Sequence, residues 1–144
     1  MSRNPQNFKN HTRYIPLFHF VCGGFLVVYF FYSVFNLWRA HSVDHFFQIM
    51  LAFALLLLFW YVRVFPTTAQ DRIIRLEMQL RLQALAPELM PRFDRFGIKQ
   101  LAALRFASDA ELPDLSRRVL DGKLVKSSDI KQQISDWRPD YVRV

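Results

Sequence analysis

A chain of 144 residues with 52% apolar residues is long enough for one compact domain, but its single cysteine excludes an intramolecular disulfide and a cysteine metal cluster. The net charge of +7 is not a nucleic-acid footprint. Only Arg3, Lys9, Arg13, Arg39 and Arg63, with Asp44 as the lone acid, fall before residue 64, so the basic residues frame an apolar half instead of clustering on one face.

In chain order, residues 1–14 are a basic leader, and Ile15 to Trp38 is an apolar run interrupted only by His19, Ser33 and Asn36. As a helix that run spans about 36 Å, more than the ~30 Å hydrocarbon core of a bilayer. It is also too long for a secretory signal core, and it ends in NLWRAH rather than in a small-residue cleavage site. Phe46 to Phe65 is a second run of bilayer length, with Gln48 and Arg63 as its polar members. The spacing therefore predicts a two-helix transmembrane hairpin over 15–65, with spans 15–38 and 46–65. Basic residues flank the outer ends of both spans, while the connecting loop holds only Arg39; both termini are expected on the cytoplasmic side. With that orientation the tripeptide Asn10-His11-Thr12 is never exposed to glycosylation. Trp38, Trp60, Tyr61, Tyr14 and Phe8 suit interfacial belts.

Residues 66–144 read as a small cytoplasmic helical domain, so the fold class is an all-α membrane protein. Pro66 either opens a new helix, capped by Thr67 or Thr68 with Asp71 in its first turn, or interrupts a continuous one. Along RVFPTTAQDRIIRLEMQLRLQ, Asp71 with Arg75 and Glu77 with Arg81 have the spacing and order of helical ion pairs. Ile73, Leu76 and Leu80 form one apolar stripe beside a second of Ile74, Met78, Leu82 and Leu85, which predicts a single broad buried face. Such a helix would be a rigid coupling element at the exit of the membrane. Pro87, Pro91 and Gly97 punctuate the next segment. Ile98 to Phe106 reads as a short helix with Ile98, Leu101, Leu104 and Phe106 inward. Ser108 and Glu111 form the pattern of a capping box before a helix carrying Leu112, Leu115, Val119 and Leu120, which Gly122 ends. Ser127 or Ser128 is placed to cap a last helix, Asp129 to Trp137, and Arg138-Pro139 forces an extended exit. Helices this short hold only by packing together or against a partner.

His19 is the one ionisable side chain embedded in a span, and intramembrane ionisable groups are functional candidates. A neutral imidazole among aromatics suits an axial ligand for a tetrapyrrole metal, haem or chlorophyll; the plainer reading is a neutral ring bonded to a neighbour or headgroup. Gly23 and Gly24 offer a small-residue notch, to be filled by Ala52 and Ala54 of the second span. Asn36 and Gln48 fall at similar depth in an antiparallel hairpin and are expected to bond to each other. His41 and His45 are spaced for a metal but are two ligands only, so no metal is expected. No catalytic motif is present, and no enzyme is expected. Trp137 and Tyr141, in the WRPDY tail, suit either docking or a clamp on the domain itself.

At QNFKNHTRYIPLFHF, QDRIIRLEMQLRL, LRFASDAELPDLSRRVL and SDIKQQISDWRPDYVRV the sequence resembles a family of small bacterial two-span membrane proteins that is uncharacterised. The likeness covers nearly the whole chain. Where that family has LEERLRL, this chain has Leu76-Glu77-Met78-Gln79-Leu80-Arg81-Leu82, a more apolar face. The resemblance implies a bacterial inner membrane and carries no activity or cofactor. The residues and the resemblance together lead to a non-enzymatic membrane subunit, a homo-oligomer or an accessory subunit of a larger complex, meeting its partners through Ile73, Leu76, Met78, Leu80, Trp137 and Tyr141. The alternatives are a tetrapyrrole carrier through His19, and a sensor of anionic lipid headgroups using the basic residues near the interface.

Overall fold

The computed structural model describes residues 15–139, so segment 1–14 and Tyr141 lie outside it. Among the described residues the secondary structure is helical, apart from one isolated antiparallel bridge between Ala107 and Trp137. Contacts divide the chain after Thr67 into two compact units.

The first unit contains a π-helical turn, Leu17–Cys22, that runs into α1, Gly23–Arg39, and the first part of α2, Val43–Leu85. Together Leu17–Arg39 and Val43–Leu85 are two helices long and apolar enough to cross a membrane. In each, only 6% of the most apolar stretch is buried. The buried positions, Ser33 of α1 and Ala52 of α2, are small, as they must be where two backbones approach. The Ser33 hydroxyl donates to the Tyr29 carbonyl one turn back, 2.8 Å away, which satisfies it without a partner across the hairpin.

α2 resolves the alternatives at Pro66 in favour of continuity: the helix does not restart there. A proline inside a helix removes one backbone donor and crowds the carbonyl of the preceding turn, at a cost of ~3 kcal/mol or more. The Thr67 hydroxyl lies 3.0 Å from the Arg63 carbonyl and 2.9 Å from that of Val64, supplying a donor to the disturbed turn. The Thr67 hydroxyl thus bonds back into a continuing helix and does not open the new one that the TTAQD pattern suggests.

The second unit packs the last part of α2 with a 3-10 helix, Pro87–Arg95, and three short helices: α3, Ile98–Leu104; α4, Leu112–Leu120; and α5, Ser127–Gln132. Its core gathers Met78 and Leu82 of α2 with Leu101, Phe106, Leu112 and Ile130, each 2% exposed or less. At ~1.5–3 kcal/mol for each large apolar side chain taken from water, this core offsets the ordering of helices too short to stand alone. The amide of Gly97 is closed off by the Gln100 side chain, 2.9 Å away, which starts α3. Gly122 at φ +75 ends α4, with the amides of Gly122 and Lys123 donating to the carbonyls of Val119 and Arg118, as its position in the sequence predicts.

Two expected caps are not made. The Glu111 carboxylate does not bond back to Ser108; it accepts from the amides of Ser135 and Asp136, 3.2 and 3.3 Å away, and so ties α4 to the C-terminal segment. Ser128 donates to the adjacent Asp129 carboxylate instead of capping α5. α5 itself is shorter than predicted, because beyond Gln133 the chain turns and pairs with the strand-like stretch at Ala107: Ser108 N–H donates to Asp136 O at 3.1 Å and Arg138 N–H to Phe106 O at 2.8 Å.

Candidate functional site

His19 sits in the π-helical turn with its Nδ1 2.9 Å from the Ile15 carbonyl, to which the Nδ1-protonated tautomer donates, and its ring meets Phe18 edge-on at 5.2 Å. Such a bond orients the imidazole along its own helix. His45 makes a comparable local contact, Nδ1 to the Ala40 carbonyl at 2.8 Å. Among the described residues no three His, Cys, Asp or Glu side chains gather as a metal would require.

The glycine notch differs in its filling from the expectation. A Cβ on Gly23 would lie 3.2 Å from Cζ of Phe59, whose ring stacks on Phe18 at 4.4 Å, so Gly23 is needed for that aromatic to pass. Gly24 faces open space, and Ala54 is exposed; only Gly23 and Ala52 belong to the seam. Asn36 and Gln48 are both half-buried but do not bond to each other. Ser33, in the sequence only a polar interruption of the first apolar run, is the residue that this seam buries.

The face of α2 in the second unit is where the structure and the sequence pattern part most. The two apolar stripes are not one buried surface. Ile74, Met78 and Leu82 are 4% exposed or less, whereas Ile73, Leu76 and Leu80 are 66%, 59% and 59% exposed. Met78 is thereby removed from the set of partner contacts, since the protein's own core covers it. At about 100° per residue the two stripes lie on nearly opposite sides of the helix, so burying one leaves the other out, and the arginines hold the buried one in place. Arg75 does not pair with Asp71; it reaches Asp94 at 2.7 Å and lies over the Phe93 ring. Arg81 does not pair with Glu77; it turns inward and donates to the carbonyls of Arg105 and Ala107 at 3.1 and 2.9 Å and to the Asp109 carboxylate at 2.6 Å. Both cations dock α2 onto the short helices through the Met78 side. That leaves the opposite stripe bare, flanked by Arg72 and Glu77, neither of which has a side-chain partner among the described residues.

The remaining charges hold the domain together. The Arg81 bond, joined by the charges of Arg81 and Arg138, holds the Asp109 carboxyl below its ordinary range against a smaller opposing effect of burial. Arg117 does the same for Glu88, 2.6 Å away, with Glu88's own backbone amide helping. Arg118 reaches Gln133 and Arg92 the Leu120 carbonyl, so these arginines are engaged within the domain. Trp137 is half-buried, its ring 5.2 Å from that of Phe106 and its Nε1 donating to the Ile134 carbonyl, which clamps the start of the tail onto the domain.

No curated protein and no solved structure matches this chain. A family model matches residues 1–144, the full length of the sequence, and the chain therefore belongs to the family of unknown function DUF6526.

Proposed function

We propose that the protein is a non-enzymatic integral membrane subunit acting in assembly or scaffolding, crossing a bacterial inner membrane twice with both termini in the cytoplasm. The observation that carries this reading is the exposure along α2: Leu51, Leu58, Trp60 and Val62 stand bare in its apolar part, and Ile73, Leu76 and Leu80 in its charged part. Soluble monomers rarely leave more than a few hundred Å² of contiguous apolar surface uncovered, so the first set suits lipid and the second suits protein. Arg39, Arg63 and Arg72 stand where anionic headgroups are expected to meet the chain. The test is native-mass measurement on extracts in a mild detergent. A particle larger than one chain is expected; a strictly monomeric particle with no co-purifying protein overturns the proposal.

A further inference from the structure

We infer that the bare stripe of α2 is a self-association seam, on which a second copy of this chain lays the same helix in parallel. The inference rests on the membrane-subunit reading above and adds the identity of the partner and the register.

Three features of the helix favour a second copy. First, Ile73, Leu76 and Leu80 follow the three-and-four spacing of coiled-coil core positions, and Ile73 with Leu76 is the β-branched-then-leucine pair that favours two parallel strands, Leu80 taking the next first position. Gln83 takes the next core position, which limits the seam to its two apolar turns. Second, the flanks are complementary to themselves. In that register Arg72 precedes the seam and Glu77 follows Leu76, five residues on, which is the spacing at which side chains of two parallel helices meet across a coiled-coil interface. Each copy's Arg72 would meet the other's Glu77, giving two symmetry-related pairs. Among the described residues of the single chain neither side chain has a partner, and Arg81, four residues after Glu77, is committed to Asp109. Third, copies inserted into one membrane with one orientation present their α2 helices in parallel, as this charge pattern requires. A seam this short is too weak to pair helices diffusing in water; tethering both to the bilayer supplies the effective concentration.

The test is disulfide trapping in native membranes, in a Cys22→Ser background so that the introduced thiol is the only one. Leu76→Cys, whose side chain would meet its own copy across the axis, should oxidise to a covalent dimer. Asp71→Cys, on the opposite side of the helix, should remain monomeric under the same oxidant. Both positions are exposed, so neither change disturbs the core. Glu77→Arg, which turns two attractions into two repulsions, should weaken trapping of the Leu76→Cys variant by about tenfold, and adding Arg72→Glu should restore it. If Leu76→Cys traps no self-dimer while extracts still hold a larger particle, the seam is wrong and the subunit reading survives. A link from Leu76→Cys to a different protein, or equal trapping at both positions, likewise overturns the self-association. A monomer by both trapping and native mass overturns both.

Discussion

Replacing Arg81 by methionine tests how the second unit is held. The Arg81 side chain is 10% exposed, and its guanidinium serves the carbonyls of Arg105 and Ala107 as well as the Asp109 carboxylate. Asp109 is 62% exposed and regains water when its partner leaves, so its loss contributes little. The two carbonyl bonds are different: each is charge-assisted, worth ~1.5–3 kcal/mol, and methionine refills the stem volume but offers no donor. Together the loss should be about 3 kcal/mol, a large part of the ~5–15 kcal/mol of an ordinary domain. Hydrogen exchange in detergent reads this directly, as protection of the core amides of Phe106, Leu115 and Ile130 should fall by about a hundredfold. Asp109→Asn, which leaves the carbonyl bonds in place, should cost less than about 1 kcal/mol. Should Arg81→Met prove as mild as Asp109→Asn, the carbonyl bonds do not anchor α2 and the explanation for the bare stripe fails.

Other outcomes follow from the same geometry. Gly23→Leu should force the Phe59 ring aside and destabilise the hairpin by about 1–3 kcal/mol in a denaturing-detergent titration, while Gly24→Leu should be near neutral; equal effects would mean that Phe59 does not set the seam. Asp109 and Glu88 both bind protons more weakly in the folded domain than in the unfolded chain. Their stabilisation is therefore fully present above about pH 5 and is lost as pH falls through the lowered folded values, and Asp109→Asn should flatten part of that slope in acid unfolding followed by Trp fluorescence. Ser116 is fully buried and its hydroxyl has no hydrogen-bond partner among the described residues, so Ser116→Ala should raise thermal stability by about 1 kcal/mol; a loss of that size would show that the hydroxyl is bonded after all.

The two apolar spans and the stop at Gly122 were legible in the residues because each rests on one strong local signal: hydrocarbon length in the first case, a left-handed backbone that only glycine adopts readily in the second. What local signals could not reveal was which partner a polar group would choose among several. Arg75 and Arg81 had acids four residues before them, yet the tertiary partners offered bonds to Asp94, Asp109 and backbone carbonyls that an exposed pair worth about 0.3–0.5 kcal/mol does not match. The same choice sent Glu111 to Ser135 and Asp136 instead of back to Ser108. Pro66 left two readings open in the residues, and the helix continues through it with a threonine hydroxyl bonded back into the disturbed turn. The division of α2 into two stripes is set by the helical period, which puts Ile73, Leu76 and Leu80 almost opposite Ile74, Met78 and Leu82; which of the two is covered had no local signal. Arg72 and Glu77, without partners among the described residues, are the trace it leaves.

Passage of the hairpin through a bilayer is tested most directly by labelling from one side of sealed membranes. In the Cys22→Ser background, His41→Cys lies in the loop between α1 and α2 and Lys99→Cys on the exposed side of α3. A membrane-impermeant maleimide should modify the thiol of His41→Cys only from the periplasmic side and that of Lys99→Cys only from the cytoplasmic side. Modification of both from the same side would contradict the crossing.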